Sequence, residues 1–169
     1  MSSAAELVVK AALVGIGGTI VLDLWALFMA RVMGLPAANW AMVGRWLGNM
    51  PRGRFLQEAM TTAEPVRGEL AIGWTAHYAI GIGYGLLLPA FWGQAWMDRP
   101  TLLPAMILAW VLLAAPWFMM MPGMAMGIAG SRTPEPNIAR LRSVVNHSIF
   151  GLGMYATAMA LARTWPATA

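Results

Sequence analysis

The chain has 169 residues, 59% of them apolar, with eleven basic and seven acidic side chains and a net charge of +4. A soluble domain carries about 25% charged residues, so the 11% found here excludes a soluble enzyme, a coiled coil and a disordered tail. The pI near 10.4 is therefore no sign of nucleic-acid binding, which needs a basic face on a water-soluble fold.

Four stretches reach the ~20 mostly apolar residues that a membrane span needs. They are about 7–30, 70–92, 101–125 and 141–162. The first reads as a retained helix rather than a cleaved leader. No basic residue precedes its apolar run, which ends at Arg31 and Gly34-Leu35-Pro36 without a small-residue cleavage pattern. Between the first two spans, Trp40, Val43, Leu47 and Met50 recur at helical spacing, with Arg45 and Asn49 off that face. This predicts a short interfacial helix over about 38–50. Pro116, Pro122 and Gly123 predict a kinked third span. Thr133-Pro134-Glu135-Pro136-Asn137 predicts a turn, with Asn137 capping the last helix. The expected fold is all-α: a single membrane domain over 1–169 with four spans and one interfacial helix.

Arginines orient it. The first connection with its flank holds Arg31, Arg45, Arg52, Arg54 and Arg67, and the third holds Arg132, Arg140 and Arg142. These are eight of the eleven basic residues, on one side of a four-span chain. The positive-inside rule makes that side cytoplasmic and puts both termini in the periplasm. Trp40, Trp46 and Trp74 then lie near the inner interface, and Trp92, Trp96 and Trp165 near the outer one. Arg45, Arg52 and Arg54 are candidates for lipid headgroups, although setting topology is reason enough for them.

The scarce ionisable residues inside the spans share one depth. Asp23 lies eight residues before Arg31, His77 eight after Glu69, and His147 seven or eight after Ala139-Arg140. At 1.5 Å per residue each is ~10–12 Å from the cytoplasmic boundary. Each also lies on a small-residue face: Ala11, Gly15, Thr19 and Asp23; Glu69, Gly73, His77, Gly81 and Gly85; Ser143, His147 and Gly151. Such faces let helices approach closely. Asp23, His77 and His147, with neighbouring Asn146, are thus expected to form an internal polar site. An ion at that depth costs ~2.5–3.5 kcal/mol and needs a partner or a wet cavity. Interhelical hydrogen bonding worth ~1–2 kcal/mol is the plain alternative.

Other chemistries have weaker support. The absence of cysteine excludes disulfides, thiolate zinc, iron–sulfur clusters and c-type haem. Asp23, His77 and His147 are the residues a divalent metal would take, but three separate helices supply them without any local motif. A haem between the histidines needs more room than small-residue faces leave. The run Met119-Met120-Met121-Pro122-Gly123-Met124-Ala125-Met126 suits monovalent copper, against fifteen methionines overall that serve equally as core filler. Ser143, His147 and Asp23 lack the nucleophile-elbow context of a hydrolase. Glu69 is a cytoplasmic-end candidate that reads first as a favourable charge at a helix N-terminus. No catalytic residue stands out, and no cofactor is expected.

The stretch Pro122 to Pro136, Ala139-Arg140-Leu141-Arg142-Ser143, and His147-Ser148-Ile149-Phe150-Gly151-Leu152-Gly153-Met154-Tyr155 resemble a bacterial membrane family, domain of unknown function 2938. So do Asp23-Leu24-Trp25, Gly44-Arg45-Trp46, Gly68-Glu69 and Gly73-Trp74-Thr75-Ala76-His77-Tyr78. The resemblance implies a bacterial inner-membrane protein with four spans, and no activity or site residue. The family pattern has alanine before the last-helix histidine, where this chain has Asn146, which sets Asn146 apart from any shared site.

The leading expectation is a transport or proton-relay protein whose Asp23, His77 and His147 layer binds a proton or small polar solute. Four helices enclose a pathway poorly, so a homo-oligomer is expected. The alternatives are a metal- or haem-binding membrane oxidoreductase and a structural or regulatory partner of another membrane protein. Its surroundings are the lipid bilayer, without nucleic acid.

Overall fold

The computed structural model describes residues 3–166, among which there are helices and no strand. Helix α1 spans Ala4–Val32, α2 Trp40–Asn49, α3 Glu69–Asp98, α4 Leu102–Gly123 and α5 Pro136–Thr164. Helices α1, α4 and α5 are long and apolar enough to cross a membrane. Helix α3, at 30 residues, is long enough, but His77, two tyrosines and four glycines between Gly73 and Gly85 dilute its apolarity.

The ends follow local rules. The Ser3 hydroxyl accepts from Glu6 N at 3.2 Å, starting α1 with a capping pattern. Asn39 caps α2 in the same way through Met42 N. The kink expected in α4 takes the form of a π turn over Pro116–Met120, closed by Met121 N on Pro116 O. The last helix departs from expectation. It starts at Pro136, because proline fits the first helical position, where no N–H is needed. Asn137 is therefore inside the first turn, and its side-chain oxygen accepts from Arg140 instead of capping.

The chain forms two compact units. One comprises the described parts of 1–37, 78–111 and 146–169, the other 38–77 and 112–145. Helices α3, α4 and α5 contribute a segment to each.

In the first unit glycines bring helix backbones together. A Cβ on Gly15 would land on the Gly81 carbonyl, and one on Gly85 on the Ala11 carbonyl. Gly17 faces Thr157 and Gly18 faces Met154, so α1 also packs on α5. Gly151 seats α5 on Ala105, Met106 and Ala109 of α4. The small-residue faces expected of α1, α3 and α5 are the packing faces. Val14, Thr19, Leu88 and Met154 are fully buried between them, and the Thr19 hydroxyl returns its proton to Gly15 O.

In the second unit α2 packs glycine-first on the start of α3. Gly44 meets the Glu69 carbonyl and Gly73 meets the Trp40 carbonyl. This contact turns the helix relative to the face expected from periodicity. Val43, Gly44, Trp46 and Asn49 are the buried residues. Asn49, expected off the apolar face, is completely buried. Its amide donates to Arg45 O and Glu64 O, both at 2.9 Å, and pins the loop that follows.

Candidate functional site

Asp23 lies on the C-terminal half of α1 and is half-buried. The Tyr78 hydroxyl, on α3, donates to its carboxylate at 2.9 Å. The partner found is thus one residue beyond the histidine that the sequence singles out. Its own signal was faint: Tyr78 adjoins the small-residue face without belonging to its four-residue spacing. His147 belongs to the same unit as Asp23 and Tyr78. Beside it, Ser148 accepts from the Trp110 indole at 3.0 Å, tying α5 to α4. Asn146 is exposed, which removes it from the interior that the sequence reading assigned to it. The Ser143 hydroxyl donates to Ala139 O at 2.9 Å.

His77 belongs to the second unit and is buried there at 9% exposure. Its ring stacks on Trp40 at 3.9 Å between centroids, and Trp74 meets it edge-on at 5.6 Å. In the sequence Trp40 stands on the apolar face of the short helix and Trp74 near the inner interface, and no spacing pairs either with His77. Among the described residues no three of His, Asp and Glu come together as a metal-binding group. The metal reading of Asp23, His77 and His147 therefore has no ligand cluster behind it.

A forked ion pair of the second unit joins α2 to α3. Arg45 grips Glu69 through two parallel bonds of 2.8 Å, from Nε and from a terminal nitrogen. Such forked pairs combine strength with fixed geometry. Glu69 also accepts from Val66 N at 3.3 Å, and Arg45 reaches Met60 O at 3.4 Å. Arg45 is thus committed within the protein. Arg52 and Arg54 are half-exposed around Glu64, with Arg54 at 2.7 Å.

The hydrogen bonds from Arg45 hold the Glu69 carboxyl below its ordinary range, against the opposing effect of burial. A lowered carboxyl pKa stabilises the fold fully above the unfolded value of about 4.3 and loses that effect as pH falls through the folded value. We therefore expect acid to loosen the second unit only below about pH 4.3. Trp46, whose indole donates to Phe55 O at 2.9 Å in the loop that follows α2, reports it by fluorescence. In Glu69→Gln that acid transition should disappear. A transition unchanged in Glu69→Gln would mean that another group drives it.

A family model described as "Protein of unknown function (DUF2938)" matches residues 12–161. No curated protein and no solved structure matches the chain.

Proposed function

The chain belongs to the DUF2938 family, and on that footing we propose a four-span protein of the bacterial inner membrane that binds a proton or a small polar solute within the bilayer. The observation that carries this is the Asp23–Tyr78 hydrogen bond between α1 and α3. An acid on a helix long and apolar enough to span is costly in lipid and marks solute or proton pathways. The tyrosine hydroxyl holds the carboxylate in place from the neighbouring helix. His147 lies in the same unit. Asp23 takes the exchangeable proton, Tyr78 positions its carboxylate, and a homo-oligomer supplies the enclosure that one four-helix chain lacks.

Purified protein in proteoliposomes with an entrapped pH dye tests this. Wild-type vesicles should collapse an imposed pH gradient faster than empty ones, Asp23→Asn should match empty vesicles, and Tyr78→Phe should fall between. Wild-type vesicles as tight as empty ones, or full activity in Asp23→Asn, would reject it.

The topology has its own test. The chain has no cysteine, so single cysteines can be introduced without background. With α3 as the fourth span, Leu56→Cys in intact cells should resist an impermeant maleimide and label after lysis, whereas Arg99→Cys should label in intact cells. Leu56 is 75% exposed, so steric protection would not mimic the expected result. Both labelling alike in intact cells would contradict four spans.

A further inference from the structure

We infer that the methionine cluster of the second unit is a thioether site for monovalent copper. Met60 and Met124 are buried together with Trp46, Val43 and Ala63, and Met42, Met50, Met120 and Met126 pack against the same group. Six of the fifteen methionines converge there, from both ends of α2, the loop beyond it, the end of α4 and the residues just past it. Thioethers are soft, neutral ligands that select monovalent copper over hard or borderline divalent ions. The six side chains bring no carboxylate, imidazole or thiol with them, so the donor set is soft throughout. The nearby guanidinium of Arg45, which reaches Met60 O, is neutralised by Glu69 and does not repel a univalent cation.

The backbone supplies an independent observation. Ala125 has φ 64, a left-handed conformation that residues other than glycine rarely adopt. It separates Met124 from Met126. In a continuing helix those side chains would point about 200° apart. The left-handed residue, with Met126 N bonded to Met121 O at 2.8 Å, turns the chain so that both methionines pack on the Trp46 group. Gln57 N on Gly123 O at 2.9 Å anchors the same turn. Strain of this kind at a non-glycine residue gathers at ligand clamps and persists where the surroundings over-determine it. Simple core filling needs neither the strain nor six flexible thioethers where leucine would pack with better-defined rotamers.

The test uses the full chain in detergent, titrated with Cu(I) kept reduced by ascorbate against a chromophoric Cu(I) chelator. Wild type should withdraw about one copper per chain through sulfur donors alone, as read by X-ray absorption. The near-isosteric M120L/M124L variant should bind at least about tenfold more weakly. Met119→Leu, at a position 66% exposed, should bind as wild type does. A second measurement needs no variant: in protein with ¹³C-methyl methionine, Ag(I) should shift the methyl resonances of the cluster and leave that of Met119 in place. No copper taken from the chelator, nitrogen donors in the absorption spectrum, undiminished binding in M120L/M124L, or unmoved cluster methyls would each overturn the site.

Discussion

Glu6→Gln is expected to lower stability by about 3 kcal/mol, the low end of the cost of leaving one member of a buried ion pair alone. Lys10 is only 5% exposed, yet it lies two turns into α1, and its ammonium is held by Glu6 at 2.7 Å. The Trp165 ring lies 5.2 Å from the same nitrogen, and Asp98 lines the same small cleft. Removing the Glu6 charge leaves a cation that the indole face and the more distant Asp98 compensate only in part. The double variant Lys10→Met/Glu6→Gln removes both charges and should recover most of the loss, because an apolar replacement of a buried pair is often neutral or better. Unfolding in mixed micelles, followed by near-ultraviolet circular dichroism, measures both. A double variant less stable than Glu6→Gln alone would show that the pair does more than satisfy itself.

Gly15→Val should cost about 1–3 kcal/mol or more, the range for overpacking a well-packed interior. The added Cβ meets the Gly81 carbonyl and the backbone of Ile82, which cannot rotate away as a side chain could. Relief requires α1 and α3 to separate, which would also stretch the Asp23–Tyr78 hydrogen bond two turns further along. Loss of stability and loss of proton uptake should therefore appear together. Gly83→Ala is the control on α3. No atom lies within 4 Å of its added Cβ, so helix propensity alone predicts a gain of roughly 0.5–1 kcal/mol. Equal effects at the two positions would mean that glycine contact does not set the helix spacing.

Much of this arrangement is legible in the chain. Long apolar runs with prolines between them announce helices, because a backbone in lipid must satisfy its hydrogen bonds internally. Four-residue spacing of glycines marks the packing faces, because positions i and i+4 share one side of a helix. The short helix α2 and the break in α4 follow from the same local rules. The polar site is legible only in part. Spacing assigns a depth to Asp23 and His147, but depth does not choose a partner. The Tyr78 hydroxyl reaches Asp23 because α1 and α3 touch at Gly15 and Gly81. Asn49 lies off the apolar face by its spacing, yet the Gly44 contact turns it inward. Asn146 looked internal beside His147, yet it is exposed.

The sequence by itself determined an all-helical chain made for a bilayer, its family, the faces on which its helices meet and the few ionisable residues among them. Only the tertiary structure decided that Asp23 is held by Tyr78, that Arg45 clasps Glu69, that His77 lies among indoles and that six methionines share one core. Local periodicity is a property of neighbouring residues along one helix. These pairings join residues far apart in the chain, and they depend on how closely glycine lets two backbones approach.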